Sequence, residues 1–289
     1  MSIITKNIVT AAVAVVIASS SAFAAPSPIV ISGYIANPAG TDSPHEYVQF
    51  KATQAIDFAS TNYSVVFANN GTATSGGWIA GGTVTYGFTL SSGSVAAGDV
   101  FYVGGSGKLI NGAGSTDISS ATFIRTIDTA SVAGDSFGTA ASGGVLGNGG
   151  GNADGIAVFS GAASSLTAST VPVDAIFFGT GVGSAKPVTG GYTVPTSDLY
   201  NNTQGTFGNG TNTAIFGDPA SGAYTRLSGT YDTVSETWTT ARTGSFVTLT
   251  ANSTLSDITS AISVTAVPEP TAIALVGLGS LMALRRRRA

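Results

Sequence analysis

The chain has 289 residues, a net charge of -4, no cysteine, and charged residues at only 9% of its positions. Disulfides and thiolate chemistry are therefore excluded, and too few charges are present to cover the wet faces of many long helices. Five of the eleven basic residues lie at the two ends, which leaves six basic residues against fourteen acids between them, a net charge of -8. This balance disfavours nucleic acid as a partner, because binding it needs a basic face.

Residues 1–24 contain the three regions of a secretory signal peptide in their usual order. Lys6 supplies the positive charge, an apolar run follows at 8–18, and Ala22 and Ala24 supply the small residues of a cleavage site. We therefore expect an N-terminal signal helix, export through the Sec translocon and cleavage by signal peptidase after Ala24. A buried N-terminal helix is the alternative interpretation.

The body, residues 25–250, shows the period-two alternation that is typical of β-strands. The clearest segment is 83–90, where Val84, Tyr86, Phe88 and Leu90 share one side. Other alternating or short apolar segments occur at 29–35, 63–67, 100–103, 156–159, 176–178, 223–227 and 246–250, with Asn-Gly and Asp-Gly turn signals between several of them. Such spacing predicts an all-β sandwich without a helix in the body. Tyr231 and Trp238 are the core candidates of its later part.

The order of motifs within residues 28–181 resembles that of lamin-tail domains. The segment IVISGYIANPAG at 29–40 precedes HEYVQF at 45–50 and IDF at 56–58, and DGIAVF at 154–159 is followed by VDAIFFG at 173–179. Lamin-tail domains are Ig-like sandwiches that usually serve as non-catalytic adhesion or binding modules. The resemblance therefore implies an Ig-like ectodomain and assigns no catalytic residue.

Few residues of the body are candidates for metal chemistry. His45, beside Glu46, is the only histidine, and a single histidine without cysteine is a poor set of zinc ligands. The segment GGGNADG at 149–155 resembles one repeat of a calcium β-roll, a fold that needs several such repeats. We interpret both as loop and turn features and predict no cofactor and no metal ligand, with bound Ca²⁺ as the alternative.

Residues 134–138 match the G-x-S-x-G pattern of serine hydrolases. A nucleophile elbow needs a strand before the serine, a helix after it and a histidine base later in the chain. The surrounding sequence is rich in Gly, Ala and Ser, and His45 lies upstream of the motif. We therefore interpret the match as a Gly-rich turn.

The C-terminal region divides at residue 266. Residues 251–266 are rich in Ser and Thr and predict either a last strand or a linker. In the tail, 267–289, an apolar run at 272–284 is long enough for a helix of about 20 Å, shorter than a bilayer core of about 30 Å. Positive charge after this run places the body outside the cytoplasm. The run is preceded by Val267, Pro268, Glu269 and Pro270 and followed by Arg285, Arg286, Arg287 and Arg288.

These three features in this order resemble a PEP-CTERM sorting tail. The resemblance implies that the short helix holds the exported body in the inner membrane, and that an exosortase, a membrane cysteine transpeptidase, then recognises Pro268, Glu269 and Pro270 and processes the chain. Two prolines remove backbone donors and keep the segment extended, which suits a processing site. An ordinary tail anchor that is never cut is the alternative.

Three classes of function follow from these features. The leading hypothesis is a non-catalytic structural or adhesive protein of the cell surface or extracellular matrix, whose hydroxyls and amides hydrogen-bond exopolysaccharide. A secreted hydrolase is the second, and it would depend on Asp and Glu alone, as glycosidases do. A calcium-stabilised carbohydrate-binding module is the third.

Overall fold

The computed structural model describes residues 27–69, 76–81, 85–128, 133–139, 145–147, 154–179, 192, 215–216 and 220–265. Within these ranges the chain forms strands and short 3-10 helices, which confirms the all-β class. The predicted signal helix at 1–24 and the predicted membrane helix of the tail lie outside the described residues. Over the ranges given above, no helix combines the length and the apolar character that crossing a bilayer requires.

Seven of the described strands form the larger sheet, in the order β13-β12-β1-β2-β7-β8 with β14 also paired to β12. Five strands form the smaller sheet, in the order β11-β10-β9-β4-β5, and β3 pairs with β6. The strands are β1 Ile29–Ile35, β2 Tyr47–Ala52, β3 Ile56–Asp57, β4 Tyr63–Ala68, β5 Thr85–Leu90, β6 Ser94–Val95, β7 Val100–Gly105, β8 Phe123–Ile127, β9 Asp154–Ser160, β10 Asp174–Phe178, β11 Ile215–Phe216, β12 Ala223–Asp232, β13 Thr237–Thr248 and β14 Ala261–Thr265. The 3-10 helices are Gly77–Ile79, Ala163–Ser165 and Leu255–Ile258.

The main core lies between the two sheets and follows from the alternation of side chains along each strand. Val48 and Phe50 of β2 and Phe101 of β7 point inward, as do Val65 and Phe67 of β4 from the opposite sheet. The rings of Phe50 and Phe101 stack with centroids 5.3 Å apart. Burial of each such side chain contributes roughly 1.5–3 kcal/mol, so this layer provides most of the driving force for folding.

The outer face of the smaller sheet is also covered, which the alternation did not predict. Trp78 and Tyr192 pack there against Phe159 and Phe177, with Trp78 and Phe177 centroids 4.9 Å apart. Gly87, on the predicted polar side of β5, lies beneath Phe137. Strand β5 therefore has buried residues on both faces, because side chains from the loops form a second apolar layer over it.

The chain after residue 181 completes the larger sheet. β12 lies beside β1 and carries β13 on its other side, while Tyr231 and Trp238 are buried with ring centroids 5.4 Å apart, which confirms them as core residues. β14 pairs in parallel with the second half of β12. The sheet that begins in the lamin-tail-like segment 28–181 thus extends to Thr265 and includes the strand formed within 251–266.

Candidate functional site

An open groove of about 450 Å³ lies on the outer face of the larger sheet. Its floor is built from neighbouring strands, because Gln49 and Lys51 of β2 and Val100 and Tyr102 of β7 alternate with the core residues and point away from the core. Its walls are the loop before β8 and the segment around the last 3-10 helix. The lining residues of the walls are Ser120, Ala121, Thr122, Leu255, Thr259 and Ser260.

Gln49 fixes the geometry of the groove floor. Its side-chain oxygen accepts a hydrogen bond from the Ser32 hydroxyl at 2.8 Å. Its side-chain nitrogen donates to the Tyr102 hydroxyl at 2.9 Å and to the Ile258 carbonyl at 2.6 Å. The amide is therefore occupied within the protein, and it connects the sheet to the C-terminal segment that forms one wall.

Tyr102 presents its hydroxyl at the floor of the groove. The ring stacks on Phe123 with centroids 5.4 Å apart, which holds it in place. Burial raises the pKa of Tyr102, and the hydrogen bond from Gln49 opposes this shift. The hydroxyl thus stays protonated, and because it accepts the Gln49 bond it keeps its own hydrogen to donate.

Among the described residues that line the groove, Lys51 is the single cation and none carries a carboxylate. Its Nζ donates to the Ile262 carbonyl at 2.8 Å, which leaves two N–H donors. Partial burial lowers its pKa. Within the described part of the chain, neither ion pair includes Lys51. The groove therefore offers hydroxyls and one unneutralised ammonium, a combination that suits a polar ligand carrying an anionic group.

His45 and Glu46 lie at the start of β2, where Glu46 is buried. The Glu46 Oε2 atom accepts hydrogen bonds from the backbone N–H groups of Val145 and Leu146, the latter at 2.8 Å. Burial first, and then the nearby charges of Asp42 and Asp154, raise the pKa of Glu46 well above its ordinary value. Glu46 is one of the residues that line a cavity of about 10 Å³, enough for one water.

The residues considered for metal binding do not form a set of metal ligands in the described structure. His45 is buried with a pKa lowered by burial, and Gly107 packs closely against its ring. Asp154 is buried and is the first residue of β9. Residues 149–153, the rest of the calcium-like segment apart from Gly155, lie outside the described residues. Among the described residues, no group of three or more His, Cys, Asp or Glu side chains could hold a metal ion.

The G-x-S-x-G segment covers strand β5. The Asp135 N–H donates to the Gly87 carbonyl at 3.0 Å, and the Asp135 carboxylate pairs with Arg125 at 2.6 Å. Phe137 forms an isolated bridge with Gly87, and Ser136 is exposed. The motif's acid and aromatic residues are thus used to hold a loop on the smaller sheet, in agreement with the interpretation as a Gly-rich turn.

A buried ion pair between the two sheets was missed by the sequence reasoning. Asp174 of β10 pairs with Arg242 of β13 at 2.8 Å, and the Ile31 N–H donates to the same carboxylate oxygen at 2.7 Å. The guanidinium also lies over the Trp238 ring, 4.4 Å from its centroid. Burial raises the pKa of Asp174, and the charge of Arg242 opposes that shift. No local pattern reveals a pair that is 68 residues apart.

The residues predicted to direct sorting lie outside the described ranges. These are Ala22 and Ala24 of the cleavage site, Val267, Pro268, Glu269 and Pro270 of the motif, and Arg285, Arg286, Arg287 and Arg288. β14, the last described strand, ends at Thr265, two residues before Val267.

Comparison with known proteins identifies this tail. The family model of the PEP-CTERM protein-sorting motif matches residues 266–288, so the chain carries that motif, and the resemblance of its tail is confirmed. No curated protein and no solved structure matches the chain. The match identifies an exosortase-targeted, exported protein, and it leaves the lamin-tail resemblance as a prediction.

Proposed function

We propose that this chain is a non-catalytic structural or adhesive protein of the cell surface or extracellular matrix. Its body is held in the inner membrane by residues 267–289, facing the periplasm, until exosortase processes the tail. The sorting-motif match at residues 266–288 supports the export and processing steps of this proposal. The signal-peptide pattern of residues 1–24 agrees with export, and the lamin-tail-like order of motifs agrees with a binding or adhesive module.

Mass spectrometry of the protein from its native host tests the processing step. We expect the mature protein to have lost the residues Arg285 to Arg288, and we expect Pro268→Ala and Glu269→Ala to retain them. Ser263→Ala is the control, because Ser263 is an exposed residue of β14 just before the motif. A mature wild-type protein that still ends in the Arg residues would contradict processing and favour a permanent tail anchor.

The groove favours binding of a carboxylated polysaccharide as the adhesive activity. Its hydroxyl groups can form hydrogen bonds with sugar hydroxyls, and the Lys51 ammonium can pair with a uronate carboxylate, since none of the described lining residues is an acid that would compete for it. The body has a net charge of -8, which repels an anionic polymer, so the positive charge of Lys51 is needed to attract the polymer to the groove.

Calorimetric titration with uronic-acid oligosaccharides and with neutral oligosaccharides tests this activity. We expect binding of the acidic series and a loss of about tenfold in affinity for Lys51→Met, since a charge-assisted hydrogen bond contributes about 1.5 kcal/mol or more. Arg125→Met, which removes the same charge outside the groove lining, should bind as the wild type does. Equal binding by Lys51→Met and wild type, with both folded, would reject the groove as the site.

A further inference from the structure

The two ends of the described body lie at one pole of the sandwich. The Ser27 backbone N–H donates to the Tyr231 hydroxyl at 3.2 Å. At the other end, the Thr265 hydroxyl donates to the Asp232 carboxylate at 3.2 Å, and the Thr233 hydroxyl donates to the Thr265 carbonyl at 2.7 Å. Both ends therefore contact residues at the C-terminal end of β12. We call this region, Ser27 with Tyr231 to Glu236 and Thr265, the tail pole.

The opposite pole is defined by the other end of β12. Ala223 pairs with Thr248 there, whereas Asp232 pairs with Thr237 at the tail pole. The loop after β13, with exposed Asn252, therefore lies at the far end. A strand of 10 residues spans about 30 Å, so the two poles are separated by roughly that distance.

The connection from the tail pole to the sorting motif is very short. The family match begins at residue 266, directly after β14 ends at Thr265. Pro268 lies three residues beyond Thr265, a reach of at most about 10 Å, and the apolar run begins at Ala272, at most about 25 Å away.

We infer that the tail pole is the surface of the body that faces the lipid headgroups while the tail is inserted. This inference rests on the proposed function, because it requires the tail to enter the membrane. The connection of at most about 25 Å is shorter than the roughly 30 Å between the poles, so the body cannot stand with its far pole on the bilayer and its tail pole outermost while β14 stays paired. The turn of the tail pole carries Asp232 and Glu236 and no Lys or Arg, so the pole is held at the membrane by the tail and not by attraction to anionic lipid.

The absence of cysteine makes this orientation directly measurable. Val234, 58% exposed in the turn of the tail pole, and Asn252, exposed at the far pole, are replaced singly by cysteine in the full chain and labelled with a fluorescent donor. Each labelled chain is reconstituted into vesicles whose headgroups carry an acceptor. We expect at least twofold higher transfer from Val234→Cys than from Asn252→Cys. Ser235→Cys, in the same turn, repeats the measurement at the tail pole.

A linker variant gives the matched control. Ten Gly and Ser residues inserted between Ala266 and Val267 should reduce the difference between the two labels, because the connection no longer fixes the orientation. Equal transfer from both poles of the uninserted chain, or higher transfer from the far pole, would overturn the inference while leaving membrane anchoring intact. A full chain that fails to float with vesicles would instead overturn the proposed anchoring, and the inference with it.

Discussion

Asp174 and Arg242 join the two sheets through a buried ion pair, with 2.8 Å between Oδ2 and Nη1. The pair connects β10 of the smaller sheet to β13, a long strand whose only strand partner in the described structure is β12. Because Ile31 also donates to the carboxylate, three strands meet at one side chain. The register of β13 on the sandwich is therefore specified by chemistry as well as by packing.

Removing one partner of this pair should be strongly destabilising. Arg242→Met leaves the Asp174 carboxylate buried without its counter-charge, and we expect a loss of about 3–5 kcal/mol in the free energy of unfolding, measured by denaturant titration. Arg125→Met breaks the partly exposed pair with Asp135 and should cost only about 0–1 kcal/mol. Similar losses in the two variants would contradict the role assigned to the buried pair.

Glu46 should make stability depend on pH. Its pKa in the folded chain lies well above the ordinary 4.5, so the folded chain retains a proton that the unfolded chain has released. The stabilisation from this proton is complete below pH 4.5 and is lost as the pH rises toward the raised folded-state pKa. Glu46→Gln stays neutral and can still accept from Val145 and Leu146, so its stability should fall less between about pH 5 and pH 8.

Unfolding free energies measured across this pH range check the Glu46 prediction. Asp128→Asn, a change at an exposed position, is the control and should follow the wild-type curve. Burial also raises the pKa of Asp174, so the free energy of unfolding should still fall somewhat with rising pH in the wild type and in both variants. Parallel curves for Glu46→Gln and wild type would show that the buried carboxyl does not control the pH dependence.

Gly138 and Gly114 have the same φ angle but different surroundings, so alanine substitutions at the two positions distinguish backbone strain from steric overlap. Gly138 and Gly114 both have φ of 81°. A Cβ at Gly138 would lie 2.0 Å from the Thr85 carbonyl oxygen, whereas nothing lies within 4 Å of one at Gly114. Gly114→Ala should cost about 1–2 kcal/mol for its left-handed angle alone. Gly138→Ala should lower the free energy of unfolding clearly more, and thermal melts of the two variants measure the difference. Equal losses would argue against the close packing of the Gly134–Gly138 segment on β5.

Gln49 should be needed for the C-terminal segment to stay on the sheet. Gln49→Met removes the side-chain amide that bonds to the Ser32 and Tyr102 hydroxyls and to the Ile258 carbonyl, and we expect a loss of about 2–4 kcal/mol. Hydrogen exchange should also be faster in β14. Gln54→Met, at a partly exposed position, is the matched control. Unchanged exchange in β14 would show that this segment is held by other contacts.

Strands with alternating apolar residues could be predicted from the sequence, and strands without them could not. The predicted segment 29–35 coincides with β1, and 63–67 lies within β4. By contrast, β13 extends from Thr237 to Thr248, whereas only its end was predicted, at 246–250. Most of its side chains are Thr, Ser, Gly or Ala and are exposed, so the apolar alternation that identifies a strand is absent.

The candidate groove could not be predicted because its parts are far apart in the chain. Gln49 and Ile258 are separated by 209 residues, and their contact depends on how the last 3-10 helix lies across β2 and β7. The sorting tail could be predicted because its signal is local: a short motif, an apolar run and a basic end lie within consecutive residues. The sorting signal could therefore be predicted from a local sequence pattern, whereas the candidate groove could be identified only from the folded structure.

The parallel pairing of β14 with β12 has a mechanical consequence. Five residue pairs, from Ser228 with Ala261 to Asp232 with Thr265, join the two strands, and the tail continues from the Thr265 end. Tension applied through the tail acts along the strand axis, so it loads these backbone hydrogen bonds together in shear. Bonds loaded together share the force, whereas bonds opened one at a time do not. The strand next to the sorting tail is thus arranged to withstand pulling on the chain.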